Sequence, residues 1–135
     1  MKASTQGVNP TPAFTKEVAA AYKANGNTAA ITTNSYAAES YDAVVIMALA
    51  ADEAKSSSPT AIQSKILPVT GTTNGTVCKT YAACLKLIKA GTDVHYEGYS
   101  GIGALTAGHD PSSGYISIYQ YVGNDPSKFL GSVKG

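Results

Sequence analysis

The chain has 135 residues, of which 44% are hydrophobic and 14% are charged, and its formal net charge is +1. This length predicts one domain or a part of one. The near-zero net charge and the scattered basic residues argue against a nucleic-acid or other polyanion binder. The longest strongly apolar run, residues 43–51, is far too short to cross a bilayer.

Two helices are predicted in the first part of the chain. Thr11 can cap a helix that has Pro12 at its first position, and Asn25-Gly26-Asn27 ends it. A second helix is predicted from about Ser35 to Lys55. Its many alanines favour close packing, so we expect burial on more than one face. One side of this helix carries Tyr41, Val44, Val45, Ala48 and Asp52.

A third helix is predicted to start at Pro59, which suits a first helical turn, and to run to about Leu67. Pro68 should close this helix, because a proline removes a backbone donor and disfavours a helical predecessor. The residues that follow, 68–77, are rich in Gly, Thr and Asn and are predicted to be a loop.

The two cysteines, Cys78 and Cys84, flank the start of a fourth helix predicted over residues 79–90. A disulfide between them requires that Cys78 lie before the helix, because residues six apart in one helix are separated by about 9 Å of rise. Two buried free thiols are an alternative. A zinc site that also recruits His95 and His109, both expected in loops, is another.

Two strands are predicted near the end of the chain. Residues 99–105 and 115–122 show period-two patterns around a turn at residues 107–114, which indicates an antiparallel hairpin. The predicted fold class is therefore α/β, with about four helices and a C-terminal hairpin. An isolated two-stranded ribbon is marginally stable, so we expect a piece of a larger protein or self-association. One strand face could stack on sugars or simply be half-buried; it carries Tyr115, Tyr119 and Tyr121.

Catalytic motifs are not found in the sequence. Asp52 and Glu53 are adjacent on a helix, so their side chains point in different directions and do not form an acid–base pair. We expect these carboxylates to be solvated or salt-bridged. The sequence has no G-x-S-x-G elbow, and residues 71–75 lack the Gly-Lys-Ser/Thr ending of a phosphate loop. We therefore expect a protein that is not an enzyme and that needs no cofactor or metal.

Four segments, in order along the chain, resemble the C-terminal part of type I periplasmic solute-binding proteins, the branched-chain amino acid and amide receptors of ABC transporters. They are NPTPAFTKEVAAAY (9–22), SYAAESYDAV (35–44), the cysteine-flanked segment that ends in VHYEGYSG (78–101), and GHDPSSGYISIYQY (108–121). The chain departs from the family at Ile102, where a proline is usual, and at residues 104–108, where the family has an acidic stretch.

The resemblance implies part of a two-lobed fold, with residues 1–97 in the N-terminal lobe and residues 98–135 forming a crossover and a closing strand of the other lobe. It implies capture of a small solute by hinge closure, delivery to a membrane permease, and a periplasmic or extracellular location, with or without a lipid anchor. It assigns solute contact to the start of the second helix, at Asn34, Ser35 and Tyr36, whereas Tyr41 would point into lobe packing. Alternatively, the Tyr36 side chain only packs against the rest of the protein and does not contact a solute.

Other protein classes stay open at this stage. A stand-alone extracellular adhesive module with one disulfide and a sensor domain of the same fold are both compatible with the sequence. The solute could be a branched-chain amino acid, an amide, urea or an aromatic acid. We expect the isolated chain to bind solutes weakly and to self-associate through exposed apolar surface.

Overall fold

The computed structural model describes residues 2–4, 12–31, 36–122 and 125–135. Within these ranges the chain forms four helices and five strands, arranged as two small sheets. This confirms the predicted mixed α/β class. The elements are β1 (Lys2–Ser4), α1 (Pro12–Ala24), α2 (Ala37–Ala54), α3 (Pro59–Val69), β2 (Thr76–Cys78), α4 (Tyr81–Lys89), β3 (Val94–Tyr96), β4 (Tyr115–Val122) and β5 (Asp125–Lys134).

Most helix ends lie close to the local signals in the sequence. Helix α1 starts at Pro12 and ends at Ala24, before the predicted Asn-Gly-Asn stop. Helix α3 continues through Pro68, so the prediction that this proline closes the helix is wrong. The last turn tightens instead, because the backbone N–H of Thr70 donates to the carbonyl oxygen of Leu67 at 3.2 Å. Pro68 lacks an N–H and so costs the helix one hydrogen bond, and only Val69 follows it within α3.

Helix α4 begins at Tyr81, two residues later than predicted, because Thr80 caps it. The Thr80 hydroxyl oxygen accepts a hydrogen bond from the backbone N–H of Ala83 at 3.2 Å. Cys78 therefore lies outside the helix, in β2, and forms a disulfide with Cys84 at a Cα–Cα distance of 5.3 Å. The predicted disulfide is confirmed, and the free-thiol and zinc alternatives are wrong.

The predicted strand at residues 115–122 is confirmed as β4, but its predicted partner is wrong. Strand β4 pairs antiparallel with β1 and with β5, so the C-terminal hairpin joins β4 to β5. Residues 99–105 form no strand, and only Leu105 makes an isolated bridge, to Pro111. The reason is that the backbone N–H groups of Tyr99 and Ser100 donate to a side chain on α2 rather than to a neighbouring strand.

A short parallel pair, β2 and β3, was not predicted. Thr76 pairs with Val94 and Cys78 with Tyr96, with α4 as the crossover between the two strands. Each strand has three residues, which is too short for a period-two pattern to be recognised. His95 therefore lies in a strand, and its predicted position in a loop is wrong. The predicted turn around His109 is confirmed, with the His109 N–H donating to the Thr106 carbonyl at 2.8 Å.

The hydrophobic core lies where α2, α3, α4 and the β2–β3 pair meet. On the outer side of α2, Tyr41 is 43% exposed and Val44 is 62% exposed. Met47 is also half exposed, so the expected burial of α2 on more than one face is not found within the described residues. The inward side of α2 consists of Ala38, Asp42, Val45, Ile46, Leu49 and Ala50.

Candidate functional site

Tyr36 stands at the start of α2 in a left-handed backbone conformation, with φ 59° and ψ 10°. Its carbonyl oxygen accepts the N–H of Ser40 at 2.9 Å, so the helical bonding pattern begins at this residue. A left-handed conformation costs a residue with a Cβ about 1 kcal/mol or more, and such strained residues cluster at ligand sites. The ring is half exposed. Asn34 and Ser35, the other two predicted contacts, lie outside the described residues.

A cavity of about 440 Å³ opens beside Tyr36, between the start of α2 and the segment around residues 111–116. This volume lies within the usual range for small-molecule sites. Most of the wall is apolar or aromatic, and the charged side chain within it is Glu39. The lining residues are Tyr36, Glu39, Ile102, Pro111, Ser112, Ser113, Gly114, Tyr115, Ile116 and Gly135.

Glu39 is a feature that the sequence did not single out. Its Oε1 atom is buried and has no hydrogen-bond partner within the described part of the chain. Glu39 and Tyr36 both line the cavity. The position of Glu39 in the first turn of α2 is electrostatically favourable for a carboxylate. That effect does not supply the donor that a buried oxygen requires.

Asp42, one turn further along α2, is almost fully buried and holds the backbone that leads to Ile102, a residue of the cavity wall. Its carboxylate accepts hydrogen bonds from the Tyr96 hydroxyl at 2.8 Å and from the backbone N–H groups of Tyr99 and Ser100 at 3.1 and 2.7 Å. Burial, and then the hydrogen bond to Asp42, raises the pKa of Tyr96 well above its ordinary value. The Tyr96 hydroxyl therefore stays protonated and acts as the donor.

The neighbouring acidic residues of α2 have ordinary surface roles. Asp52 accepts a hydrogen bond from the Tyr81 hydroxyl at 2.7 Å, which is the main cause that raises the pKa of Tyr81. Glu53 pairs with Lys65 at 3.5 Å. The prediction that these two carboxylates diverge and are salt-bridged or solvated agrees with this geometry. Neither of them lines the cavity.

Tyr41 belongs to a different neighbourhood from Tyr36. It packs edge-on against Phe14 of α1, with ring centroids 5.7 Å apart, and against Tyr99, at 5.6 Å. Phe14 and Tyr99 are also in contact, at 4.6 Å. This aromatic trio is where α1 contacts α2 and the segment after β3. Tyr41 therefore serves packing between elements.

A second, more polar cavity of about 320 Å³ lies next to the first. The two share Ile102 and Ser113 as lining residues, and the second adds Lys79, His95, Glu97 and Lys134. The described residues contain no group of three or more His, Cys, Asp or Glu side chains placed to hold a metal ion. The tyrosine face of β4 offers no continuous platform, because Tyr119 packs on Phe129 at 5.5 Å and only Tyr121 is largely exposed.

Comparison with known proteins gives no family for this chain: no family model matches it, and no characterised protein or solved structure matches either. The receptor-like motifs can nevertheless be placed in the fold. The segment 35–44 supplies Tyr36, Glu39 and Asp42. The segment 78–101 supplies the disulfide and the backbone that donates to Asp42. These two motifs therefore meet at the carboxylate of Asp42.

Proposed function

We propose that this chain is part of an extracytoplasmic receptor that captures a small solute for a membrane permease. The observation that carries the proposal is the cavity at the start of α2, where Tyr36 is held in a strained conformation and a buried Glu39 oxygen has no donor among the described residues. Sites of this kind combine an apolar wall with a few placed polar groups. The resemblance of residues 35–44 to solute-binding proteins points to the same helix start.

The exposed apolar surface supports the view that more polypeptide belongs around this chain. Helix α2 has apolar side chains on its outer side as well as its inner side, with Val44 62% and Met47 50% exposed. A helix that is apolar all round is normally buried within a larger protein. The hairpin adds exposed Phe129, Leu130 and Val133. A stand-alone adhesive module, by contrast, would need a self-sufficient core.

The proposed division into lobes takes account of the strand pairing. Residues 12–97 would belong to one lobe and residues 98–135 would supply a crossover and the closing strand of the other. Because β1 pairs with β4, residues 2–4 join the second group in this proposal. The backbone at Tyr99 and Ser100, where the crossover begins, is hydrogen-bonded to Asp42 of the first lobe.

Function would then follow from closure of the two lobes around the solute. A solute that contacts both lobes stabilises the closed form and shifts the population toward it, and the permease would recognise that form. The chemistry is reversible binding, with no covalent step and no cofactor. The disulfide fits an oxidising compartment such as the periplasm or the cell exterior. No helix in the described ranges is long and apolar enough to span a membrane.

The test is a closure experiment on the protein made from the complete natural reading frame. A thermal-shift screen with amino acids, amides, urea and aromatic acids identifies a stabilising solute. X-ray scattering with and without that solute should then show a smaller radius of gyration in its presence. A protein that no member of the panel stabilises, or one whose radius does not change on binding, would contradict the proposal.

A further inference from the structure

We propose that Asn74 is a site of spontaneous deamidation, at which the side-chain amide becomes a carboxylate and part of the product is isoaspartate. The sequence Asn-Gly occurs twice in the chain, at Asn74-Gly75 and at Asn25-Gly26. The fold treats the two differently, because among the described residues the reacting groups of the first pair have no hydrogen bonds and those of the second are engaged. This modification is independent of the proposed function.

The reaction uses the side chain of Asn74, the backbone nitrogen of Gly75 and water. The Gly75 nitrogen loses its proton to hydroxide and attacks Cγ of Asn74, so a C–N bond forms and closes a succinimide ring. The bond from Cγ to the side-chain nitrogen breaks, and that nitrogen takes a proton from water and leaves as ammonia. Water then opens the ring at either carbonyl, which gives aspartate or isoaspartate. Glycine favours the attack, because it has no Cβ to hinder the approach.

Both reacting groups are accessible at Asn74-Gly75. Asn74 is exposed and lies between α3 and β2, and Gly75 is partly exposed. Among the described residues, the Asn74 side-chain amide and the Gly75 N–H have no hydrogen-bond partner. Asn74 itself is held by one backbone bond, from its N–H to the Gly71 carbonyl at 3.1 Å, and its left-handed conformation, with φ 54°, is not one that the local backbone favours. The Gly75 nitrogen can therefore approach Cγ without first breaking a hydrogen bond of its own.

Asn25-Gly26 has the same sequence but is held at the end of α1. The Asn25 side-chain amide donates to the carbonyl oxygen of Ala21 at 2.9 Å, and the Gly26 N–H donates to that of Lys23 at 2.9 Å. Both bonds must break before the Gly26 nitrogen can attack. Because a local opening step reduces the reactive fraction, Asn25 should deamidate more slowly than Asn74.

The surroundings of Gly75 give the reaction a structural consequence. A Cβ built on Gly75 would overlap the backbone of Val94, so β3 passes directly against this residue. Thr76, the first residue of β2, pairs with Val94. Isoaspartate lengthens the main chain by one methylene group directly before this contact, whereas aspartate leaves the main chain unchanged. The isoaspartyl product should therefore disturb the β2–β3 pair.

The test follows both sites in the same 135-residue chain during incubation in ¹⁸O-labelled water at mildly alkaline pH, so that the label marks every carboxylate formed. After reduction and tryptic digestion, peptides 24–55 and 66–79 report Asn25 and Asn74 separately, and electron-transfer fragmentation separates isoaspartate from aspartate. In the folded protein Asn74 should react at least about fivefold faster than Asn25, because two hydrogen bonds protect the latter. In guanidinium chloride at the same pH the two sites should react at similar rates.

Two variants test the consequence for the fold. The wild type should melt about 3 °C lower after incubation than before it. Asn74→Ser cannot form the succinimide at this position, so its melting temperature should be the same before and after incubation. Asn25→Ser is the matched control and should age like the wild type. Comparing each protein with its own fresh sample removes any effect of the substitution itself.

The outcomes separate the reactive site from its effect. Equal rates at Asn74 and Asn25 in the folded protein, or a rate ratio that guanidinium chloride does not change, would refute the assignment of Asn74 as the site that the fold leaves open to reaction. If Asn74 reacts as expected but the incubated wild type melts like the fresh protein, the effect on the β2–β3 pair is refuted and the modification site stands.

Discussion

The carboxylate of Asp42 on α2 accepts a hydrogen bond from the hydroxyl of Tyr96, 54 residues later in the chain, at 2.8 Å. The same carboxylate also holds the backbone of Tyr99 and Ser100. Ile102, two residues after Ser100, lines the cavity, so one buried side chain ties α2 to a segment of the cavity wall. The cavity therefore depends on a contact that links two distant segments.

Asp42→Ala should lower the free energy of unfolding by about 3 kcal/mol, because buried donors that lose a charged acceptor stay unsatisfied. Urea unfolding followed by circular dichroism measures the change. Asp52→Ala is the matched control on the same helix, since Asp52 has one hydrogen-bond partner, the exposed Tyr81. The control should lose less than about 1 kcal/mol. Equal losses in the two variants would refute the role of Asp42.

Alkaline pH should destabilise the protein through Tyr96. Burial and the hydrogen bond to Asp42 raise its pKa in the folded state above the ordinary value of 10.0. The stability that comes from the protonated hydroxyl is complete below about pH 10 and is lost as the pH rises further, because only the unfolded chain ionises readily there. The slope contributed by Tyr96 is about 1.4 kcal/mol per pH unit.

Tyr96→Phe tests this dependence, since phenylalanine cannot ionise. Urea unfolding of the wild type and of the variant should be compared between about pH 9 and about pH 11. The variant is expected to be less stable at neutral pH and to lose stability less steeply in the alkaline range. Parallel pH profiles for the two proteins would contradict the assignment.

Gly98→Ala should destabilise the fold by about 2 kcal/mol, because a Cβ at this position would overlap the Asp42 carboxylate. Gly114→Ala is the control. A Cβ at Gly114 meets no atom within 4 Å, so we expect a change of less than about 0.5 kcal/mol. Chemical denaturation of both variants provides the measurement. A Gly98→Ala protein as stable as the control would show that the close approach of residue 98 to α2 is not needed.

Reduction of the Cys78–Cys84 disulfide should cost about 2 kcal/mol, a modest value because the two cysteines are only six residues apart. Guanidinium unfolding with and without a phosphine reductant measures this difference. A Cys78→Ala/Cys84→Ala double variant controls for effects of the reductant itself and should give the same curve in both conditions. A wild type whose stability does not respond to reduction would contradict the prediction.

The isolated chain should self-associate through the outer side of α2, where Val44 and Met47 are exposed. Met47→Lys should raise the monomer fraction in sedimentation velocity without lowering stability. Ala82→Lys, at an exposed position of α4, adds the same charge elsewhere and should not change the association. A wild type that stays monomeric at high concentration would contradict the expectation that further polypeptide covers the outer side of α2.

Local chemistry predicted much of the fold. Pro12 marked the start of α1. The spacing of Cys78 and Cys84 required that, for a disulfide to form, Cys78 lie before helix α4. The pattern at residues 99–105 misled, because the N–H groups of Tyr99 and Ser100 bond to Asp42, a partner 57 and 58 residues away. Local alternation cannot reveal such a partner. Glu39 was missed for a related reason, since the lack of a donor to its Oε1 atom among the described residues is seen only in three dimensions.

Replacing Tyr36 with alanine tests most directly whether the start of α2 faces a bound solute. In the protein made from the complete reading frame, calorimetry should show solute affinity reduced about tenfold or more. The melting temperature without solute should change by less than about 2 °C. Tyr121→Ala, which removes an exposed ring from β4, should leave the affinity intact. An unchanged affinity in the Tyr36→Ala receptor would contradict a solute site at this helix start.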